Sequence, residues 1–418
     1  MVIVAKKEKA MLIAVDLRGD ANWHVEDAIE ELRELAESSG AEVIDEVICK
    51  REKPTPAYFI GKGKADEIGL RCASQKPDVV IFNDDLSFVQ HRNLEDIIDV
   101  KIIDRTQLIL DIFAQRAKSL EGKVQVELAQ LLYLLPRLMG KGIMLSRLGG
   151  GIGTRGPGEQ KLETDRRRIR KRVAKLRRDL DSITKHRATI RKTRQEHDVT
   201  TVALVGYTNA GKSTLLNTLT DSNAYAKDQL FSTLDPLSKR YVMPNNQKVV
   251  FVDTVGFLHK LPHHLIEAFK ATLEEVVRAD ILIHVLDISH PRAKEHINDV
   301  YEVLRELGAY DKPIITALNK TDLLESPFLV DRFFNIAENS IAISALNGVG
   351  MKDLIEKLNS QLSGLIQKID VFIPSNKMGL VSRIYEEGNV LNADYCSDGV
   401  YISAEVSKRL KNIIEKEV

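Results

Sequence analysis

"TTVALVGYTNAGKSTLLNTL", residues 200–219, decides the fold. A strand-like run from Thr200 to Val205 leads into Gly206, Tyr207, Thr208, Asn209, Ala210, Gly211, Lys212 and Ser213, and Thr214 opens a helix-forming stretch. The glycine, four residues, then Gly-Lys-Ser is the spacing of a phosphate-binding loop (P-loop). Backbone N–H groups at a helix N-terminus surround the phosphates, the lysine bridges β and γ oxygens, and the hydroxyl holds Mg²⁺. Asn209 has two readings: it helps bind K⁺ beside the phosphates, or it only stabilises the loop.

Downstream, "VVFVDTVG", residues 249–256, is an apolar strand that ends in Asp253, Thr254, Val255 and Gly256. A carboxylate there reaches Mg²⁺ through water, and the Gly256 N–H contacts the γ-phosphate. The next residue is Phe257, at a position where many nucleotide hydrolases carry a polar side chain that orients the attacking water. "PIITALNKTD", residues 313–322, places Asn319, Lys320 and Asp322 after another buried strand. Asp322 can accept two hydrogen bonds from guanine, a pattern adenine does not offer, while the Lys320 stem lies over the base; GTP is therefore expected over ATP. "SIAIS" ends in Ser344, and with Ala345 it is placed for backbone contact with the guanine oxygen. Each motif closes a strand, as expected for ligand binding at the carboxyl edge of a parallel sheet.

Between the first two motifs, "DQLFSTLDPLSKR", residues 228–240, offers Thr233 as the switch hydroxyl that closes on Mg²⁺, with Ser232 as the alternative. His259, His263 and His264 lack a carboxylate or thiol to complete a metal set, so they read as surface or packing residues.

Working towards the N-terminus, residues 161–200 hold 15 Lys or Arg against six Asp or Glu, in a chain of 418 residues whose formal net charge is zero. Such a concentrated excess fits a polyanion better than a solvated helix face, and the absence of aromatics there favours RNA backbone over base stacking. Apolar residues Ile169, Val173, Leu176, Leu180 and Ile183 repeat at helical spacing, as do Leu120, Val124, Leu128, Leu131, Leu135 and Leu138. Two long helices packed as an antiparallel hairpin follow. Between them, residues 140–159 carry eight of the chain's 24 glycines, with Lys141, Arg147 and Arg155. This tip is expected to lack fixed structure until it meets a partner, or else to be a linker.

From residue 11 to about 105, apolar runs such as "MLIAVD" and "DVVIFN" alternate with helix-period stretches such as Trp23 to Ser39, which predicts a small parallel α/β domain. Its "FIGKGKADEI" lacks P-loop spacing and reads as a turn into a helix. With 44% hydrophobic and 29% charged residues the composition is that of a soluble protein. Cys49, Cys72 and Cys396 have neither zinc nor disulfide spacing. There is no leader-like start and no run of about 18 apolar residues, so a cytoplasmic protein is expected. Peripheral attachment to a membrane stays open.

With "GYTNAGKS", "LFSTLDP", "DTVGFLHKLPHHLIEAFKATLEE", "NKTD" and "SALNG" in order, and "GGGIGTRGPGEQKLETDRR" upstream, the chain closely resembles the HflX family of ribosome-associated GTPases, in the TRAFAC class. The resemblance covers nearly the whole chain, with the residues after about 366 matching least distinctly. It implies an α/β protein: a P-loop GTPase domain with a mostly parallel sheet (198–365), a small N-terminal α/β domain (1–115), the helical hairpin (116–197) and a small C-terminal α/β domain (366–418). It further implies a monomer that takes GTP to GDP with Mg²⁺ at a low intrinsic rate. Such a protein binds the large (50S) ribosomal subunit and its rRNA through helix and tip, and in its GTP state helps separate the subunits of stalled or idle ribosomes. Lys212, Thr233 and Gly256 would then be catalytic, with ribosomes stimulating hydrolysis because Phe257 does not position water. A GTP-controlled module that anchors a protein partner without any RNA role is the alternative. An ATP-driven RNA remodeller with a second nucleotide site in the N-terminal domain rests only on glycine-rich turns.

Overall fold

The structure, a computed structural model, describes residues 7–17, 24–147, 157–196, 199–220, 231, 237–245, 247–258, 270–324, 326, 328–337, 339–363 and 366–417. The chain packs into two compact units. One is built from the chain up to Asp181 and takes in Phe231; the other is built chiefly from Ser182 onward.

In the first unit β1 (Lys9–Leu17), β2 (Glu42–Arg51), β3 (Val79–Phe82) and β4 (Lys101–Asp104) form a parallel sheet in the order β2-β1-β3-β4. Helices α1 (Val25–Ser39), α2 (Lys62–Gln75), α3 (Phe88–Ile98) and α4 (Arg105–Arg116) alternate with the strands. The alternation read from the sequence is thus present. Asp104 caps α4 by accepting the Gln107 N–H at 2.9 Å, and its fully buried carboxylate meets Arg137 at 2.7 Å. Burial pushes that carboxyl above its ordinary range against the opposing pull of its hydrogen bonds and Arg137. Phe231 is buried edge-on against Phe113 of α4, ring centroids 4.5 Å apart.

Helices α5 (Leu120–Arg147) and α6 (Pro157–Glu196) follow. Leu128, Val173 and Leu176 form their buried seam, flanked by Val124, Leu131, Ile169 and Leu180, and Arg172 makes a fork of two 2.6 Å hydrogen bonds to Glu127. The helical stripes are therefore used as read, with one correction. Leu120 is 74% exposed, because at the first turn it lies outside the seam. The tip also differs from expectation at its margins: residues 140–147 continue α5, and Pro157 begins α6. Extending an existing helix by a turn avoids the cost of nucleation, which outweighs the poor propensity of Gly140 and Gly142, and proline suits a first helical position. Residues 148–156, including Arg155, lie outside the described residues.

The second unit contains a six-stranded sheet in the order β10-β9-β8-β5-β7-β6. It is built from β5 (Thr200–Val205), β6 (Leu237–Val242), β7 (Lys248–Asp253), β8 (Ile281–Asp287), β9 (Ile314–Asn319) and β10 (Ser340–Ala342), and only β6 runs antiparallel. Helices α7 (Lys212–Thr220), α8 (Lys270–Arg278), α9 (Ala293–Glu306), α10 (Phe328–Phe334) and α11 (Met351–Ser363) belong to it. The fully buried adjacent pairs Val202 and Ala203, Leu204 and Val205, Phe251 and Val252, and Leu282 and Ile283 reflect strands covered on both faces, which is why they read as unbroken apolar runs. The chain ends in β11 (Ile366–Pro374), α12 (Met378–Glu387), β12 (Asn389–Cys396), β13 (Gly399–Ser407) and α13 (Lys408–Glu417), an antiparallel sheet ordered β11-β13-β12. Both helices pack on one face of it, Ile384, Leu410 and Ile414 against Ile373 and Ile402. Among the described residues no helix is long and apolar enough to cross a membrane, and no cluster of His, Cys, Asp or Glu could hold a metal.

Candidate nucleotide site

β5 lies between β7 and β8, so the loop that follows it opens where the strand order changes direction, the place where open parallel sheets take ligands. The loop, Gly206 to Gly211, turns directly into α7. Asn209 and Gly211 both adopt positive φ, 60° and 95°, and a Cβ on Gly211 would stand 2.3 Å from the Asn319 amide nitrogen. Only glycine fits there.

Lys212 folds back over its own loop. Its Nζ donates to the Gly206 carbonyl at 3.1 Å and to that of Tyr207 at 2.7 Å. Burial pushes its pKa down to about 8, with nearby Asp253 pulling the other way. Ser213 Oγ donates to Asp253 Oδ2 at 2.5 Å, so the hydroxyl from α7 and the carboxylate from β7 share one spot. That hard, all-oxygen pair fits a Mg²⁺ ion. Thr254 ties the end of β7 to β5 by donating to the Leu204 carbonyl at 2.6 Å, and Val255 is buried behind it.

Gly256 lies against the loop, for a Cβ there would be 2.8 Å from Thr208 Cα and 3.0 Å from Lys212 Nζ. Phe257 pairs with the loop through its backbone: its N–H donates to the Gly206 carbonyl at 3.1 Å, and its carbonyl accepts from Thr208 N at 2.8 Å. Its ring is 1% exposed. Phe257 is therefore a core residue.

At the other end of the site, Asn319 spans two loops. Its Nδ2 donates to the Ala210 carbonyl at 2.8 Å, and its Oδ1 accepts the Ala345 N–H at 2.9 Å. Ser344 Oγ donates to Asp322 Oδ1 at 2.5 Å, which steadies an otherwise exposed carboxylate. The strand itself ends at Ala342, two residues before Ser344, so Ser344 and Ala345 lie in the loop that follows it. Lys320, at φ 64°, anchors its ammonium on Asp287 at 2.7 Å.

The structure thus brings together Gly206 to Thr214, Asp253 to Phe257, Asn319, Lys320, Asp322, Ser344 and Ala345. Thr233, Ser232, His259, His263 and His264 lie outside the described residues. Four neighbours escaped the sequence reading. Asp287 ends the strand "ILIHVLD" as Asp253 ends "VVFVD", a signal that was present; Thr218, which donates to the Ala345 carbonyl at 2.6 Å, gave none. His296 stacks on Tyr207 with ring centroids 3.8 Å apart, and the fully buried His284 on β8 is pushed down to about 3 by burial.

Residues 26–114 match the family described as GTP-binding GTPase N-terminal, residues 116–194 its middle region, residues 201–320 the 50S ribosome-binding GTPase, and residues 330–417 the HflX C-terminal domain. The GTPase HflX of Caldanaerobacter subterraneus is 47% identical over 412 residues, spanning 98% of this chain and 94% of that one. GTPase HflX of Escherichia coli K12 is 43% identical over 380 residues, 91% of this chain and 88% of that one. Among solved structures, a GTP-binding protein of Sulfolobus solfataricus in complex with GDP is 25% identical and covers 86% of this chain and 99% of that one, with a TM-score of 0.45. Carrying a 50S ribosome-binding GTPase domain and matched over nearly its whole length by such relatives, the chain is a GTP-hydrolysing enzyme and belongs to the HflX family of GTPases.

Proposed function

We propose that this GTPase binds the large ribosomal subunit in its GTP state, helps dissociate stalled or idle ribosomes, and hydrolyses GTP quickly only when the ribosome completes its site. One observation carries the reading. On α6 the apolar side is consumed by α5, while Arg167, Arg168, Arg170, Lys171, Lys175, Arg177 and Arg178 stand exposed. A rod of 40 residues, about 60 Å long, with such a face matches a polyanion that is itself rigid, such as folded rRNA. The division at residues 115, 197 and 365 assigns RNA contact to the hairpin and its tip, and the switch to the GTPase part.

In the proposed cycle the P-loop amides and Lys212 hold the phosphates, Asp322 selects guanine, and Lys320, fixed by Asp287, lies along the base. Ser213 and Asp253 would hold Mg²⁺, which would supply neutralisation of the phosphate charge. Gly256 and Thr233 sense the γ-phosphate, and their release after hydrolysis ends ribosome binding. Because the Phe257 ring is buried, the chain lacks a side chain there to position water, and a partner-induced rearrangement supplies the positioning. Asn209 bears on K⁺: faster turnover in K⁺ than in Na⁺ supports a cation beside the phosphates, and equal rates leave it a loop-shaping residue.

Sedimentation with intact ribosomes and with separated subunits, under GTP, GDP and a non-hydrolysable analogue, tests the reading. Co-sedimentation with the large subunit under the analogue, loss of intact ribosomes and faster GTP turnover are expected, with steep weakening by salt. Salt-insensitive binding, or none, favours instead a GTP-controlled module for a protein partner. Equal turnover with and without large subunits overturns the waiting role of Phe257.

A further inference from the structure

Among the described residues, helices cover the C-terminal sheet on one side only. Along β11 and β13, Ile369, Ile373, Val400, Ile402, Ala404 and Val406 face the helices, so the alternate residues line the opposite, open side. The register sets these out in rows. Phe372 on β11 stands opposite Tyr401 on the central strand, which stands opposite Asp394 on β12; in the next row Asp370 faces Ser403; beyond it Lys368 faces Glu405. The Phe372 and Tyr401 rings touch, centroids 4.6 Å apart, and Tyr401 is 56% exposed although it sits on the middle strand of its sheet. An exposed aromatic on a central strand, in ring contact with one on the edge strand beside it, forms an apolar patch of the kind that marks an interaction site.

We propose that this face docks an arginine-bearing segment of a partner protein, with a guanidinium laid on the Phe372–Tyr401 pair and held by Asp370 and Asp394. Paired aromatics on adjacent strands would equally suit a stacked base. The charges decide between the two. Among the described residues of the sheet, Asp370, Asp394 and Glu405 share the face with one cation, Lys368, whose cross-strand neighbour is Glu405. A phosphate backbone would be repelled, whereas a planar cation gains both the ring faces and forked hydrogen bonds to carboxylate. Asp394 already accepts one bond from Asn392 at 3.1 Å, which orients it without neutralising it. This surface lies on a different sheet from the candidate nucleotide site, and its charge is opposite to that of α6.

The test is binding of fluorescently labelled arginine–glycine repeat peptide to the full chain, compared with a lysine–glycine repeat of equal length and with oligouridine. The arginine peptide should bind more tightly than the lysine peptide. Tyr401→Ala should weaken it by about five-fold, as loss of an exposed cation–π contact does, while Tyr401→Phe retains binding. Joint Asp370→Asn and Asp394→Asn should weaken it further and flatten its salt dependence, and these polar replacements on an exposed face keep the test alive if the alanine variant fails to fold. Arginine and lysine peptides bound equally, or affinity unchanged in both sets of variants, would sink the proposal. Oligouridine binding lost in Phe372→Ala but indifferent to the asparagine variants would assign the face to RNA. A mass of the protein alone that rises with concentration and falls in Tyr401→Ala would replace the partner with a second copy.

Discussion

Two glycine–lysine turns in this chain open helices on parallel sheets, and only one has the form of a phosphate site. Gly61 and Gly211 both adopt positive φ, 82° and 95°, and each is followed by the first lysine of a helix. At Gly211 the preceding loop is long enough to arch over the helix end, so Lys212 returns to the carbonyls of Gly206 and Tyr207. At Gly61 there is no arch. The Arg51 guanidinium crowds the glycine, at 2.5 Å from where a Cβ would be, and Lys64 runs along its own helix to Glu67 at 2.8 Å. Glycine and lysine at a helix N-terminus are thus common to both; the spacing that lets the lysine turn back separates them.

The contrast breaks most sharply by deleting each lysine. Lys212→Ala should weaken GTP binding about a thousandfold, roughly two charge-assisted hydrogen bonds at about 2 kcal/mol each, by titration with a fluorescent nucleotide. Lys62→Ala, and likewise Lys64→Ala, should leave that titration unchanged, and a comparable loss at either would revive a nucleotide site in the first unit.

Next in size is the buried ion pair that the first sheet carries in place of a phosphate loop. Arg137→Ala strands the fully buried Asp104 and should cost about 3 kcal/mol in urea unfolding. Because burial already raises the Asp104 carboxyl, the variant's deficit should shrink as the pH falls and the stranded group takes up a proton.

Smaller effects follow from titration around the second sheet. Lys212, pushed down to about 8, must be protonated to hold phosphate, so GTP affinity should be level below that pH and fall by up to about tenfold per unit above it. Isothermal titration across pH 7 to 9.5, roughly, would show it. A flat profile would mean that the lysine stays charged. His284 is pushed down from 6.5 to about 3, so the folded state refuses a proton that the unfolded chain accepts. Stability is complete above 6.5 and drains away below it, by about 1 kcal/mol in the first pH unit. His284→Leu should remove that slope in thermal melts while changing stability little near neutrality.

Legibility in the sequence followed the range of the causes. The P-loop, the strand-ending Asp253 and the Asn319–Asp322 run are local spacings, and each was readable before the fold. The seam of α5 and α6 was readable because helical period alone generates it, from Val124 to Leu180. What escaped were pairings between distant residues, such as Arg137 with Asp104 and Lys320 with Asp287, since nothing in a one-dimensional pattern says which charges meet. Helix ends at residues 147 and 157 escaped for another reason: composition argues against them, while cooperativity carries the helices through. The open side of the C-terminal sheet escaped as well, because alternation says which residues share a face and not whether anything covers it.

Asn319 makes its two hydrogen bonds with one planar amide, to the loop before α7 on one side and to the loop after β10 on the other. A single rigid group of atoms therefore sets the gauge of the site, the span between where a base and where its phosphates would rest. Selectivity for the base and grip on the phosphates then cannot drift apart, for any slack in that span is felt at both ends. Nucleotide preference could be rewritten at Asp322 with the gauge intact, whereas a change at Asn319 would blur the fit of every nucleotide alike.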